Sequence, residues 1–498
     1  MHAPSNDWAG LDSTLREFCA SGVIEVREDG EWLAELSDLQ FEVHLESKNP
    51  LIHLWSEERN LTRRLLRVKS QDENRIVLEV QRFGRSKPGR LEFSRREQAR
   101  APLRITREQF RERFERIIAV QFPDSIVDSL TVSPDLEHSF SGSYVRGTMH
   151  EGARGWALLA AGPSDSESVE KMLAFGILWL DWCRNHSDKR AIEGLRLFAP
   201  EGTGRSLRER RLSLAPMARV EIFEMREPDS LVRRLDPADA GNLESFLTPR
   251  SEIETAISAA RDTIGRIRAM LPGNAALITL RISAGNGEIA FCFRGMEFAR
   301  RTREGVLFGL GKSVEKLTEN SEPRLRKLLH DLDFYRNSLT SNTNHRLYRA
   351  VPERWLESIV LEDPARLDAM LDPIHCYSQV PALAAGDRGI LDLLGITRQG
   401  RLVVIELKAS EDIQMPLQAV DYWLRVRRHH AEGDFQRYGY FAGLEIDARP
   451  PLVWLVAPAF RFHSASEILL KYLAPEIQVT RIGLNEDWRR QIKVMFRQ

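Results

Sequence analysis

A single apolar run, Leu402 to Leu407 in the order LVVIEL, carries a glutamate as its fifth residue and is followed at once by Lys408. The run is rich in β-branched residues and apolar on both of its alternating faces, so it reads as a strand from the middle of a sheet. A carboxylate and an ammonium are costly to bury in such a strand unless they are paired or bind a metal. Glu406 and Lys408 stand two residues apart and therefore point to the same side. Ile390 to Ile396 is a second short apolar run, and it carries Asp392. Gln399 and Gly400 turn the chain between the two runs, because glycine accepts positive φ at no steric cost. Pro416 then suits a first helical position, and Leu417 to Arg428 continues at helical spacing. On that helix Gln418, Tyr422 and Arg425 share one face, while Leu417, Val420 and Leu424 form an apolar one.

Two carboxylates from neighbouring strands, with the backbone carbonyl of Leu407, suit a hard divalent cation, Mg²⁺ or Mn²⁺. A lysine beside such an ion can orient a water or neutralise charge on a phosphate oxygen, which is the arrangement for metal-assisted phosphodiester hydrolysis. Taken in order, D…ExK…QxxxY resembles the PD-(D/E)xK nuclease superfamily with its α-β-β-β-α-β core. RGILDLL, VVIELK and the Gln418–Tyr422 helix most resemble the C-terminal domain of NucS-type endonucleases. The resemblance covers about residues 350 to 480. It implies a Mg²⁺-dependent nuclease, with Asp392, Glu406, Lys408, Gln418, Tyr422 and Glu357 in catalytic roles and Asp392, Glu406 and Leu407 as metal ligands. Glu357, from ERWLESIV, stands where these families tend to carry a glutamate on the helix before the core. Leu391, not proline, precedes Asp392. The alternatives are a rim salt bridge on an edge strand for Glu406 and Lys408, packing for Gln418 and Tyr422, and a solvated helix face for Glu357.

At 498 residues the chain is too long for one core. Four segments are expected: residues 1–100, a β-rich accessory domain; 101–225, a degenerate nuclease-like domain; 226–345, a helical and hairpin connector; and 346–498, the nuclease domain. The fold class is α/β, with the C-terminal mixed sheet flanked by helices. No apolar run reaches the length of a membrane span, and MHAPSNDWAGLD lacks the charged-then-apolar pattern of a secretory signal, so a cytoplasmic location is expected. Four scattered cysteines, Cys19, Cys183, Cys292 and Cys376, read as free thiols without zinc spacing. GLGKS at 309–313 lacks the first glycine of a phosphate loop, since that position is Val306, and ATP use is not supported.

A net charge of −1 hides an uneven distribution. Residues 59–116 hold 18 Lys and Arg against 8 Asp and Glu, whereas 346–498 hold 20 of each. Beside Trp55, Phe83 and Phe93, this block is what a phosphate-tracking surface needs, and Arg59, Arg63, Arg64, Arg67 and Lys69, with Arg425, are the candidate nucleic-acid contacts. A solvated face neutralised by acids is the competing reading. Seven short apolar runs between Val23 and Phe93 suggest a small barrel or sandwich.

An internal repeat links residues 101–225 to the C-terminal segment. FERII at 114–118 resembles LESIV at 356–360, and RGTM at Arg146 resembles RGIL at Arg388, each 31 residues after the matching glutamate. WALLAA then matches LVVIEL, GLRLFAP matches LVWLVAP, and ARVEIFEM matches IQVTRIGL, in the same order. On this match His150 stands where Asp392 does, and the 156–161 strand has neither acid nor lysine, as in a nuclease-like fold that has lost its metal. In 226–345, helix is expected over 242–271 and from Glu315 to Leu339, with one hairpin over 276–294 and a linker at 338–345. The expected function is metal-dependent cleavage of nucleic acid, DNA before RNA, in repair or defence, with homodimerisation left open. The alternative is a non-enzymatic nucleic-acid-binding protein or interaction scaffold on nuclease-like folds.

Overall fold

The structure is a computed structural model, and it describes the chain apart from residues 1–10, 21–23, 30, 36–38, 45–49, 57–59, 83–87, 96–102, 136–137, 163–165, 188–189, 227–230, 239–244, 246, 283–286, 312, 379 and 381–392. Arg59, Phe83 and Asp392 therefore lie outside the described residues, as does the side chain of Trp55. The fold is mixed α/β, and no helix among the described residues is long and apolar enough to cross a membrane. The chain divides into two compact units. The first comprises residues 1–242, 411–414 and 463–474; the second comprises 243–410, 415–462 and 475–498.

The first unit begins with α1 (Leu11–Ala20) and seven strands: β1 (Ile24–Glu28), β2 (Glu31–Glu35), β3 (Leu39–His44), β4 (Leu51–Ser56), β5 (Asn60–Gln71), β6 (Arg75–Arg82) and β7 (Gly89–Arg95). They form one antiparallel sheet in the order β2-β1-β7-β6-β5-β4-β3, not a two-sheet sandwich. The second layer comes from the helix. Leu11, Leu15 and Phe18 close on Ile24, Val26, Ile52, Leu54, Leu65, Ile76, Leu78 and Phe93.

The same unit continues with α2 (Leu103–Gln121), β8 (Ile126–Thr131), β9 (Tyr144–Glu151), β10 (Arg154–Ala161), α3 (Ser166–His186), β11 (Ile192–Pro200), α4 (Arg205–Arg211), β12 (Val220–Arg226) and β13 (Leu231–Arg234). The sheet order is β13-β12-β11-β10-β9-β8. From β8 onward the pairings run antiparallel, antiparallel, parallel, parallel, antiparallel. Phe114, Ile117 and Ile118 of α2 cover the face that carries Trp156, Leu158, Ala160 and Phe198. On α3, Gly176 lets the opposite face, at Leu195 and Leu197, approach within what a Cβ would occupy.

The second unit opens with α5 (Arg250–Ala259), α6 (Arg261–Ala269), β14 (Ile278–Ile282), β15 (Ile289–Phe293), β16 (Met296–Thr302), β17 (Gly305–Leu310), β18 (Ser313–Lys316), α7 (Glu322–Tyr335) and α8 (Arg346–Arg349). Where one hairpin is expected, there is a five-stranded antiparallel meander. Glu315 belongs to its last strand, and the helix starts only at Glu322. Ile264, Ile267, Phe291, Phe293, Phe298, Leu325 and Leu329 make its core. Arg336, fully buried just after α7, sends its guanidinium to the carbonyls of Arg294, Leu347, Ala350 and Val351 at 2.5–3.2 Å. Arg294 and Val351 are non-glycine residues at φ 46° and 41°.

The unit is completed by α9 (Pro352–Glu362), β19 (Tyr377–Ser378), β20 (Leu393–Ile396), β21 (Leu402–Leu407), α10 (Met415–Ala431), α11 (Asp434–Arg437), β22 (Leu452–Pro458), β23 (Val479–Leu484) and β24 (Val494–Arg497). The intervening helix α12 (Ser466–Lys471) falls in the first unit. There Lys471 Nζ and the Tyr472 hydroxyl, just past its end, donate to Asp181 of α3 at 2.9 and 3.0 Å. The order β19-β20-β21-β22-β23-β24 repeats the earlier six-stranded sheet, with the same sequence of antiparallel and parallel pairings.

The ladders refine how the two sheets correspond. Leu197 and Leu455 occupy equivalent positions, since they pair with Ile222 and Arg481 on the next strand. Leu455 pairs with Glu406, and Leu197 pairs with Leu159. Leu159, not Ala160, is thus the counterpart of Glu406, and Ala161 that of Lys408. The register thus differs by one residue from the match of WALLAA to LVVIEL, and a slip of one residue exchanges the two faces of a strand. Opposite Leu159 stands Arg146, and His150 instead pairs with Gly155 near the turn. By the same register His150 stands where Ile396 does, while Asp392 itself lies outside the described residues. Arg146 is buried, donates to the carbonyls of Ser133 and Ser141, and lies over Phe140 and Trp179.

Candidate acid–lysine site

β21 is third in a sheet of six, between β20 and β22, and all six of its residues are buried. The edge-strand reading of Glu406 and Lys408 is therefore excluded. Gly400 makes the preceding turn at φ 86°, and a Cβ there would lie 2.2 Å from the Glu445 carbonyl oxygen, so the position tolerates glycine alone. Val403, Ile405 and Leu407 pack with Trp355, Leu356 and Ile359 of α9. Successive side chains alternate, so Val404, Glu406 and Lys408 point to the opposite face, and α10 packs along β21 and β22.

Glu406 is 3% exposed, and Lys408 Nζ lies 3.5 Å from its Oε1 with the lysine side chain 19% exposed. The pair is thus an interior acid beside a mostly buried cation. On α10, Gln418 and Tyr422 are partly buried and Arg425 is buried, its Nη1 donating to the Asp421 carbonyl at 2.7 Å. Gln418 Oε1 is buried and accepts no hydrogen bond among the described residues.

Glu357 is buried, not solvated, and pairs with Arg354 at 2.6 Å. Its charge acts on Cys292 and Cys376, and burial before that charge pushes their thiols up, to about 11 and about 12. One turn earlier, the Glu353 carboxylate accepts from the Ala409 amide at 3.3 Å, which ties the start of α9 to the end of β21. The four cysteines are free.

The basic block is only partly available. Arg63, expected as a nucleic-acid contact, is 6% exposed and forms a two-pronged pair with Glu28, Nε to Oε1 at 2.7 Å and Nη2 to Oε2 at 3.0 Å. The cause is strand period: Arg63 shares its alternation with buried Leu65. Arg67 pairs with Glu79, and Arg75 and Arg90 share Glu92. Lys69 is exposed and Arg64 half-buried. Replacing Arg63 with methionine is expected to destabilise the fold by about 3 kcal/mol, as for breaking a buried ion pair. The salt dependence of nucleic-acid binding should not move. A flattened salt dependence at unchanged melting temperature would show that Arg63 faces the ligand after all.

Sequence reasoning missed a relay of Ser245, His429 and Asp434. The Ser245 hydroxyl lies 2.7 Å from His429 Nε2, and His429 Nδ1 donates to Asp434 Oδ2 at 2.6 Å. No local pattern marks it, because Ser245 and His429 are 184 residues apart. His429, Glu432 and Asp434 bring ligand atoms within 4.8 Å of one another, but both ring nitrogens of His429 are already engaged. The chain matches no family model and no curated protein.

Proposed function

We propose that the chain is a metal-dependent endonuclease that hydrolyses phosphodiester bonds in nucleic acid, DNA before RNA. The observation that carries this reading is Glu406, a carboxylate buried on a central strand with Lys408 two residues on and 3.5 Å away. The helix–three-strand–helix–strand order of α9, β19, β20, β21, α10 and β22 suits the PD-(D/E)xK core that the sequence resembles. The donor chemistry fits a hard divalent ion: Glu406 and Asp392 would hold Mg²⁺ or Mn²⁺, with the Leu407 carbonyl as a third protein ligand. Bound there, the ion supplies a more acidic water and a polarised phosphate oxygen. Lys408, held 3.5 Å from Glu406, would donate to the attacking water or to a phosphate oxygen as charge builds on it. Gln418, whose carbonyl oxygen has no partner among the described residues, would accept from a water or substrate group, and Tyr422 lies one turn further along the same face.

A second reading is supported by the earlier six-stranded sheet. Leu159 and Ala161 fill the positions of Glu406 and Lys408 there, so this topology persists without the acid–lysine pair. On that reading the pair is a structural ion pair in a nucleic-acid-binding or scaffold protein. The test is cleavage of labelled single-stranded, duplex, flap and mismatched DNA by the whole chain. Product in Mg²⁺ or Mn²⁺ and none in chelator is expected. Absence of metal-dependent product on every substrate would sink the nuclease reading.

A further inference from the structure

Ahead of α5, the described residues of the segment from Ser245 to Arg250 are fastened at three points to the corner formed by α10 and α11. Ser245 meets the His429–Asp434 pair. The Tyr440 hydroxyl donates to the Thr248 carbonyl at 2.9 Å, and the Arg250 amide donates to the Tyr438 carbonyl at 2.9 Å. The segment ends by holding the Arg250 guanidinium over two rings, 5.0 Å from the centroid of Tyr377 and 5.9 Å from that of Tyr440.

Local stability does not account for this arginine. It is the first residue of α5, and the N-terminal turn is the wrong end of a helix dipole for a cation. Among the described residues it has no carboxylate partner, and its guanidinium makes no hydrogen bond. Asp372, the acid whose charge acts on Tyr377, is engaged by the ring of His375 and by the amides of Ile374 and His375. An arginine supported on aromatic faces keeps a planar fork of donors uncommitted, which is the form that suits a phosphate.

Sheet register places this group on the face of the acid–lysine site. Tyr377 pairs with Leu394, and Leu394 pairs with Val404. Cross-strand partners share a face, so Tyr377 lies on the side that carries Val404 and Glu406. With about 4.8 Å between strands and about 3.3 Å per residue, the backbones at Tyr377 and Glu406 are roughly 12 Å apart. That span is about three to four nucleotide steps at an axial rise of about 3.4 Å.

We infer that Arg250 grips a backbone phosphate of a nucleic-acid strand a few nucleotides from the bond that is cut, and that the Ser245–His429–Asp434 relay is what positions it. This rests on the nuclease reading above. The test measures binding of a labelled DNA duplex to the whole chain across a salt series, with Ca²⁺ in place of Mn²⁺, for wild type, Arg250→Gln and Arg250→Lys. Melting temperature and Mn²⁺-dependent cleavage are followed in parallel. Arg250→Gln should flatten the slope of log K against log salt by about 0.9, the signature of one phosphate contact, and Arg250→Lys should retain the slope. An unchanged slope in Arg250→Gln, with wild type still binding and cutting, overturns the assignment of Arg250 and leaves the nuclease reading intact. An equal loss in both variants, matched by a fall in melting temperature, assigns Arg250 to packing and overturns it likewise. A wild type that neither binds nor cuts overturns the nuclease reading, and this inference with it.

Discussion

Lys408→Ala is expected to lower single-turnover cleavage by about 10²-fold, the scale of removing one electrostatic stabiliser from a reacting centre. Binding of Mn²⁺ should persist, because a protonated lysine donates and does not ligate. The substitution also leaves Glu406 as a buried carboxylate beside an uncharged residue, so the metal-free protein should melt earlier than wild type. Mn²⁺ should restore most of that loss, since a cation at Glu406 replaces the missing ammonium in stabilising the charge. Lys408→Arg should not recover activity, because a forked planar guanidinium does not substitute for a compact ammonium. Asp392→Ala is the companion: cleavage should vanish while the fold survives. On the scaffold reading, Lys408→Ala instead loses about 3–5 kcal/mol, as for one partner removed from a buried pair, and Mn²⁺ restores none of it. A destabilised variant that ignores Mn²⁺, beside a wild type without cleavage, would settle the matter against the nuclease.

Arg336→Met should be the most destabilising single change in the second unit. The guanidinium satisfies four carbonyls, two of them on residues held in the left-handed region. A buried group left unsatisfied costs about 1–3 kcal/mol. Relief from burying a charge offsets part of this: desolvation, then Arg489 and Arg294, push the Arg336 pKa down to about 9. The net loss should be about 5 kcal/mol, which lowers the melting temperature by roughly 10–20 °C at about 2–4 °C per kcal/mol. Arg336→Lys should recover little, since one ammonium cannot span the Arg294 turn and the 347–351 segment at once. A melting temperature within two degrees of wild type for Arg336→Met would show that the hub is redundant.

The region around β21 was legible because local signals agree. The run is apolar on both faces, Gly400 must be glycine, and α10 begins within a residue of where Pro416 places it. The shared strand order of the two six-stranded sheets was legible from the order of the apolar runs, but the register was not. A strand match by apolar content cannot tell Leu159 from Ala160, whereas the ladder can. The meander was missed beyond its first hairpin because Glu297, Arg300 and Arg301 break the apolar alternation of β16. Glu297 pairs with Arg281 of β14 and with Arg300 of its own strand, and Arg300 also pairs with Glu288. Arg63 was misread because a charge count is blind to facing, and Glu28 lies 35 residues away.

The path of the chain between its two units has a practical consequence for dissecting the protein. It leaves the first unit after residue 242, returns for 411–414, leaves again, returns for 463–474, and departs a last time. No single cut separates the two bodies, and any fragment beginning near residue 346 strips α12 of Asp181, the residue that anchors its end. Neither unit is therefore a contiguous coding block, and an expression fragment for either would have to be assembled from separated segments.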